Sequence, residues 1–156
     1  MEQAYERDRI LYLSLGEITR IHGEDGLKRR LFYEVERIGW SDQDRRRILE
    51  LADRVTDVYH YGDRRDDKTY ATHVLRVATR LIGRDHFNHQ DNPQLVIAAL
   101  LHDVIEDHPE RILGEEALDD HDMSPANITA RQQQRERALV HIVGTYGVEV
   151  ADMVED

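Results

Sequence analysis

The sequence predicts an all-α fold, and two observations lead to this prediction. Apolar residues recur at the three- and four-residue spacing of helices along the whole chain. No run of β-branched residues alternates with polar residues between turn signals, as strands require. With 156 residues, 40% of them hydrophobic, the chain is expected to form one soluble domain with a core of its own.

The first predicted helices lie within the first 40 residues. One is expected from about Ala4 to Ile21, closed by His22 and Gly23, and a second is expected after Gly26. The apolar residues that define the two helices are Leu11, Leu13, Leu15, Ile18 and Ile21, followed by Leu27, Leu31, Phe32, Val35 and Ile38.

Capping signals predict where the later helices begin. Ser41 followed by Asp44 opens one helix, and after the polar loop GDRRDDKT a further helix is expected around YATHVLRVATRLI, ending at Gly83. Asn92 and the proline after it precede the helix QLVIAALLHDVIED. An irregular acidic stretch is expected next. Ser124 then caps a helix to about residue 145, and VEVADMVED forms the last segment.

Composition limits the classes of ligand and location. A net charge of -11 disfavours long DNA or RNA, but the local cluster Arg64, Arg65 and Lys68 allows a small phosphorylated ligand. The same cluster also fits a solvated loop. With no cysteine, any metal must bind imidazole and carboxylate groups. No apolar run approaches the roughly 20 residues of a membrane span and no secretion signal is recognisable, so a cytoplasmic protein without a membrane partner is expected.

The segment from Leu95 to Asp107 carries the strongest chemical signal. Its first seven residues are all apolar, which predicts a buried central helix. Five ionisable residues follow within two turns: His102, Asp103, Glu106, Asp107 and His108. Three neighbouring carboxylates repel one another, and a divalent cation bound by His102 and Asp103 would remove that repulsion. The alternative is a solvated helix end that carries an acidic cluster by chance.

His73 is the best further candidate for a metal ligand. It lies within an apolar helical pattern that includes Val74, Val77, Ala78 and Leu81. A histidine in such a pattern is more often a satisfied core residue. Together with the His102 and Asp103 pair, however, the ligand interpretation is favoured.

The order YATHVLRVA followed by AALLHDVIED resembles the HD hydrolase domain of RelA/SpoT-type proteins, which remove the 3′-pyrophosphate from the alarmone (p)ppGpp. That family has a tyrosine three residues before the first metal histidine, here Tyr70 and His73. It also has a metal-binding His-Asp pair followed by a Glu-Asp pair, here His102-Asp103 and Glu106-Asp107. The resemblance implies an HD-domain helical bundle. It covers about residues 50–156, with a longer connection than usual around residues 109–140.

The resemblance also implies roles for individual residues. RRDDKTY is similar to a loop in which one arginine stacks on guanine and the next basic residue faces phosphates, which implies these roles for Arg64 and Arg65 and a substrate site that includes Lys68 and Tyr70. Glu106 and Asp107 are implied to orient the attacking water. The implied metal is Mn²⁺, although the ligand types suit Fe²⁺ or Zn²⁺ almost equally. No synthetase activity is implied.

Residues 1–45 fall outside the resemblance and are predicted to be an N-terminal helical extension, with residues 46–156 as the hydrolase domain. Val74 stands where the family has a proline, a change expected to be structural only. The family's fourth metal ligand is an aspartate in a later Leu-Ala-Asp helix, and this chain stops at Asp156 before such a segment. We expect a fragment of a longer protein. The alternatives are that Asp152 or Asp156 substitutes, or that the metal site is incomplete.

Two rival functions remain at this point. One is an HD-type phosphohydrolase for a different nucleotide, which keeps the metal ligands without the arginine loop. The other is a non-catalytic module that senses alarmones or binds a protein partner. The sequence does not indicate an oligomeric state.

Overall fold

The computed structural model describes residues 2–60, 67–83, 92–119 and 121–155, and all regular structure in these ranges is helical. The side chains it describes are those of residues 6–59, 71–82, 92–119 and 121–154. The all-α prediction is therefore confirmed. None of the described helices is long and apolar enough to cross a membrane. The helices are α1 (Glu2–Tyr12), α2 (Leu15–Ile38), α3 (Asp42–His60), α4 (Asp67–Gly83), α5 (Pro93–Asp107), α6 (Pro109–Leu113), α7 (Pro125–Tyr146) and α8 (Val148–Glu155).

The chain divides into two compact units, residues 1–100 and 101–156, and the division falls within α5. In the first unit α2 packs against α1, α3 and α4, and α3 also packs against α4. The predicted boundary near residue 45, between an extension and a hydrolase domain, stays a prediction.

The first predicted helix contains a break that was not expected, and one of its predicted apolar residues is exposed. The first break comes at Ser14, whose side-chain oxygen accepts a hydrogen bond from the Glu17 backbone N–H at 3.1 Å and caps α2. The predicted break at Gly23 is confirmed, because two helical segments of α2 meet there at a kink where φ is 65° and ψ is -151°. Ile21, expected on the apolar face, is 50% exposed.

The predicted caps of three later helices are confirmed. The Asp44 backbone N–H donates to Ser41 Oγ at 3.2 Å, and the Ser41 hydroxyl donates to the Asp44 carboxylate at 3.0 Å. Asn92 Oδ1 accepts from the Gln94 backbone N–H at 3.1 Å at the start of α5. Ser124 Oγ accepts from a backbone N–H of the first turn of α7 at 3.3 Å.

In the second unit α6 and α8 each pack against α7. The short helix α6 occupies the start of the stretch that was expected to be irregular, and Gly114 ends it with a φ of 70°. Ala138 and Ile142 of α7 are fully buried, as is Val150 of α8. These contacts hold α7 beside the C-terminal end of α5, where the ionisable cluster lies.

Candidate metal centre

Burial along α5 decides which of its residues face solvent. Val96 and Leu100 are fully buried, which confirms the central apolar position expected for this helix. A stripe formed by Leu95, Ala99 and Asp103 is only half-buried, and His102 and Glu106 on the same side of the helix are exposed. The helix therefore carries His102, Asp103 and Glu106 on its most accessible face.

Three side chains converge on this face. One ligand atom from each of His102, Asp103 and Glu106 lies within 4.8 Å of the other two. His102 Nδ1 lies 3.1 Å from Asp103 Oδ1, and the two side chains are 48% and 27% exposed. Spacing along the helix explains the cluster, because Glu106 follows the pair by three and four residues and so lies one turn further on the same face.

The chemistry and spacing of these atoms fit a divalent cation. Two ligands bound at about 2.1 Å and at a right angle to one another lie about 3 Å apart, close to the His102–Asp103 separation. One imidazole nitrogen with carboxylate oxygens suits Mn²⁺, Fe²⁺ or Zn²⁺. The exposed position leaves room for water and for a substrate oxygen beside these ligands.

His73 lies on an exposed side of α4, between buried residues that precede and follow it. The alternative of a satisfied core histidine is therefore wrong, because its side chain does not belong to the core. His73 belongs to the first unit, whereas His102 and Asp103 belong to the second. Their joint role as ligands stays a prediction. Val74, which stands where the RelA/SpoT-type pattern has a proline, is buried with 1% exposure.

The structure describes the side chains of none of the four predicted substrate-binding residues. Arg64 and Arg65 lie outside the described residues. Lys68 and Tyr70 lie in the first turn of α4, and their side chains are outside the described set. Asp107, predicted to act with Glu106, is exposed at the end of α5.

Asp152 and Asp156 were considered as substitutes for the fourth ligand, and the structure describes only the first of them. Asp152 is exposed on α8, and among the described residues it does not join the three-residue cluster. Asp156 lies outside the described residues.

A pocket adjoins the cluster, and we call it the arginine pocket. It lies wholly within the second unit, and the residues that matter for its chemistry are Glu106, Asp107, Glu110, Arg131, Gln134 and Arg135. Neither Arg131 nor Arg135 was predicted from the sequence to be a site residue. Their signal was the spacing in RQQQR, which places both on one side of a helix.

The loop after α6 is fastened to α7 beside this pocket. The Arg137 guanidinium donates to Glu115 Oε2 at 2.8 Å, and the side-chain amide of the buried Gln134 donates to the same oxygen at 3.2 Å. These two hydrogen bonds hold the pKa of Glu115 below its ordinary value.

Comparison with known proteins identifies the superfamily. Searches among curated proteins and among solved structures gave no match. A family model described as the HD domain matches residues 70–153, which is more than half of the chain and includes the cluster at the end of α5. The chain therefore belongs to the HD domain family, a superfamily of metal-dependent phosphohydrolases that bind divalent metals.

Proposed function

We propose that this chain is a 3′-pyrophosphohydrolase that acts on the guanosine alarmone (p)ppGpp with Mn²⁺ as its metal. The observation that carries the proposal is the ordered pair of segments YATHVLRVA and AALLHDVIED, preceded by the basic loop RRDDK. Membership of the HD domain family supports metal-dependent phosphate chemistry, and the sequence resemblance supports the choice of nucleotide.

The metal ligands in this proposal are His73, His102 and Asp103. A divalent ion held there lowers the pKa of a water molecule and neutralises charge on the phosphate that is attacked. The close approach of His102 Nδ1 and Asp103 Oδ1 at 3.1 Å supports a shared role for these two residues. The assignment of Mn²⁺ in preference to Fe²⁺ or Zn²⁺ rests on the resemblance.

Glu106 and Asp107 act on the water. Hydrolysis forms a bond from the water oxygen to the phosphorus next to ribose O3′ and breaks the bond between that phosphorus and O3′. Glu106 orients the water and accepts its proton, and the proton then passes to the departing O3′. The products are GDP or GTP and pyrophosphate. Glu106 suits this role because it is exposed and lies beside the proposed ligands.

The basic loop recognises the nucleotide. The planar guanidinium of Arg64 stacks on the guanine base, and Arg65 and Lys68 face the phosphates. Tyr70 completes the substrate site. No long nucleic acid is a substrate in this proposal, because the net charge of -11 opposes binding of an extended polyphosphate backbone.

The direct test is hydrolysis of (p)ppGpp by the purified, Mn²⁺-loaded protein. We expect release of pyrophosphate and GDP or GTP, and no release by the His102→Ala and Asp103→Ala variants. His141→Ala is a matched control, since this exposed histidine lies on α7 outside the cluster.

A panel of nucleotides separates the proposal from its rivals. Hydrolysis of another phosphorylated nucleotide, with (p)ppGpp left intact, identifies a different HD phosphohydrolase. Tight binding of (p)ppGpp without turnover of any nucleotide in the panel identifies a sensor instead of an enzyme.

A further inference from the structure

We propose that the arginine pocket binds the distal phosphate of a pyrophosphoryl group, with Arg131 and Arg135 as the donors. The ligand class is inorganic pyrophosphate or a nucleotide that carries a terminal pyrophosphate. This assignment rests on the proposed function, because it concerns the group that the reaction would release.

The pocket and the candidate metal centre share a wall. Glu106 contributes one of the three clustered ligand atoms and also lines the pocket together with Asp107. We therefore place the first phosphate of the chain at the metal centre and the second in the pocket.

The arginines lie four residues apart on α7, so they share one side of the helix a single turn from each other. Two guanidinium groups at this spacing can both donate to one phosphate that lies between them. The forked guanidinium also matches two phosphate oxygens at once, which a lysine cannot do.

Arg135 has the exposure and the freedom that this role needs. It is exposed, and among the residues that the structure describes it has no hydrogen bond or ion pair. Arg137, only two residues away, is by contrast already bound to Glu115 at 2.8 Å. The two neighbouring arginines therefore differ in role: Arg137 binds Glu115 in the loop after α6, and Arg135 is accessible to a ligand.

The charges of the pocket make anion binding depend on the metal. Carboxylates of Glu106, Asp107 and Glu110 outnumber the two guanidinium groups by one, so the pocket alone disfavours an anion. With Asp103 of the adjoining centre the excess is two negative charges, and a divalent cation bound there cancels it. Pyrophosphate is therefore expected to bind only to the metal-loaded protein.

Calorimetric titration with inorganic pyrophosphate and with orthophosphate tests the assignment. The protein is loaded with Mn²⁺, and the buffer contains Mn²⁺ in excess, so that the metal complexation of each ligand is the same for every variant. We expect the wild type to bind pyrophosphate at least about tenfold more tightly than orthophosphate, because a charge-assisted pair adds roughly this factor. Arg135→Ala should remove that preference and leave orthophosphate binding unchanged.

The control is Arg111→Ala, which removes an exposed arginine of the same unit that does not line the pocket. It should leave both affinities unchanged. Arg135→Lys should recover only part of the lost affinity, because it keeps the charge without the fork. Arg131→Ala should act in the same direction as Arg135→Ala, and circular dichroism of each variant checks that the fold persists.

The assignment is overturned if the wild type does not bind pyrophosphate, or if Arg135→Ala binds it as the Arg111 control does. The two arginines would then serve only as counter-charges for the pocket carboxylates. The proposed nucleotide is tested separately. If Arg135 controls pyrophosphate affinity while (p)ppGpp stays intact, the pocket assignment holds and the nucleotide is wrong; the reverse result removes the pocket assignment alone.

Discussion

Removing one ligand should abolish the stabilisation that Mn²⁺ gives to the folded protein. At a Mn²⁺ concentration 100 times the dissociation constant, a site that exists only in the folded state adds about 2.7 kcal/mol to the free energy of unfolding. For a domain of this size, that corresponds to a rise in Tm of about 5–10 °C. The wild type should show this rise when Mn²⁺ is added.

The variants His102→Ala and Asp103→Asn should lose most of the rise in Tm that Mn²⁺ gives to the wild type. Loss of a ligand weakens metal binding at least about 100-fold, since even residues that only support ligands contribute 10- to 100-fold. At the same Mn²⁺ concentration the stabilisation then falls to about 0.4 kcal/mol, or about 1 °C. In the absence of metal the Tm should change little, because the two side chains are 48% and 27% exposed.

Differential scanning calorimetry with Mn²⁺ and with a chelator measures both quantities. His141→Ala provides the matched control and should keep the full metal-dependent rise. If the His102 and Asp103 variants keep that rise as well, the cluster at the end of α5 is an acidic surface, and the metal lies elsewhere.

Four further outcomes are expected. Glu106→Gln should retain the metal in elemental analysis yet lower kcat by about 100- to 10,000-fold, because it removes a proton acceptor; metal loss would make Glu106 a ligand. Arg64→Ala should weaken (p)ppGpp binding about five- to thirtyfold in calorimetry, because it removes the stacked guanidinium. An unchanged affinity would show that the basic loop does not bind the nucleotide. Glu34→Ala should lower the free energy of unfolding by about 2 kcal/mol in urea titrations, because the buried Glu34 carboxylate pairs with Arg30 at 3.0 Å and with Arg37 at 2.6 Å. An unchanged free energy of unfolding would mean that these two ion pairs do not contribute to stability. The pKa of Glu115 is lowered in the folded protein, so its ionised carboxylate stabilises the fold above about pH 4.5 and loses this effect as the pH falls through the folded-state pKa. The Tm difference between wild type and Arg137→Gln should therefore shrink on acidification. A Tm difference that stays constant with pH would contradict this account.

Local signals in the sequence predicted most helix starts. Ser41, Asn92 and Ser124 each act within one turn of their own position, and each forms the predicted capping bond. Ser14 was missed because it lies inside a run of leucines whose helical spacing continues across it. Periodicity alone cannot show a break when both sides of the break are apolar.

The place of His73 could have been predicted from helical geometry. Ala71, Leu75 and Ala78 define the buried face of α4, and His73 lies two residues beyond Ala71, about 200° around the helix. A residue at that angle faces away from the core, even when its sequence neighbours are apolar. The apolar character of the surrounding residues was therefore the wrong guide, and their angular positions were the right one.

The position of Arg131 and Arg135 beside the cluster could not be predicted from local sequence patterns. They lie beside Glu106 because the chain turns back after α6, and the hydrogen bond between Arg137 and Glu115, 22 residues apart, joins the two sides of that turn. No local pattern encodes such a contact. The connection around residues 109–140, which is longer than the RelA/SpoT-type pattern, thus supplies one wall of the pocket, whereas the family motif at the end of α5 supplies the other. In our proposals, the motif at the end of α5 supplies the metal chemistry, the later connection supplies the phosphate contacts, and the two segments meet at Glu106.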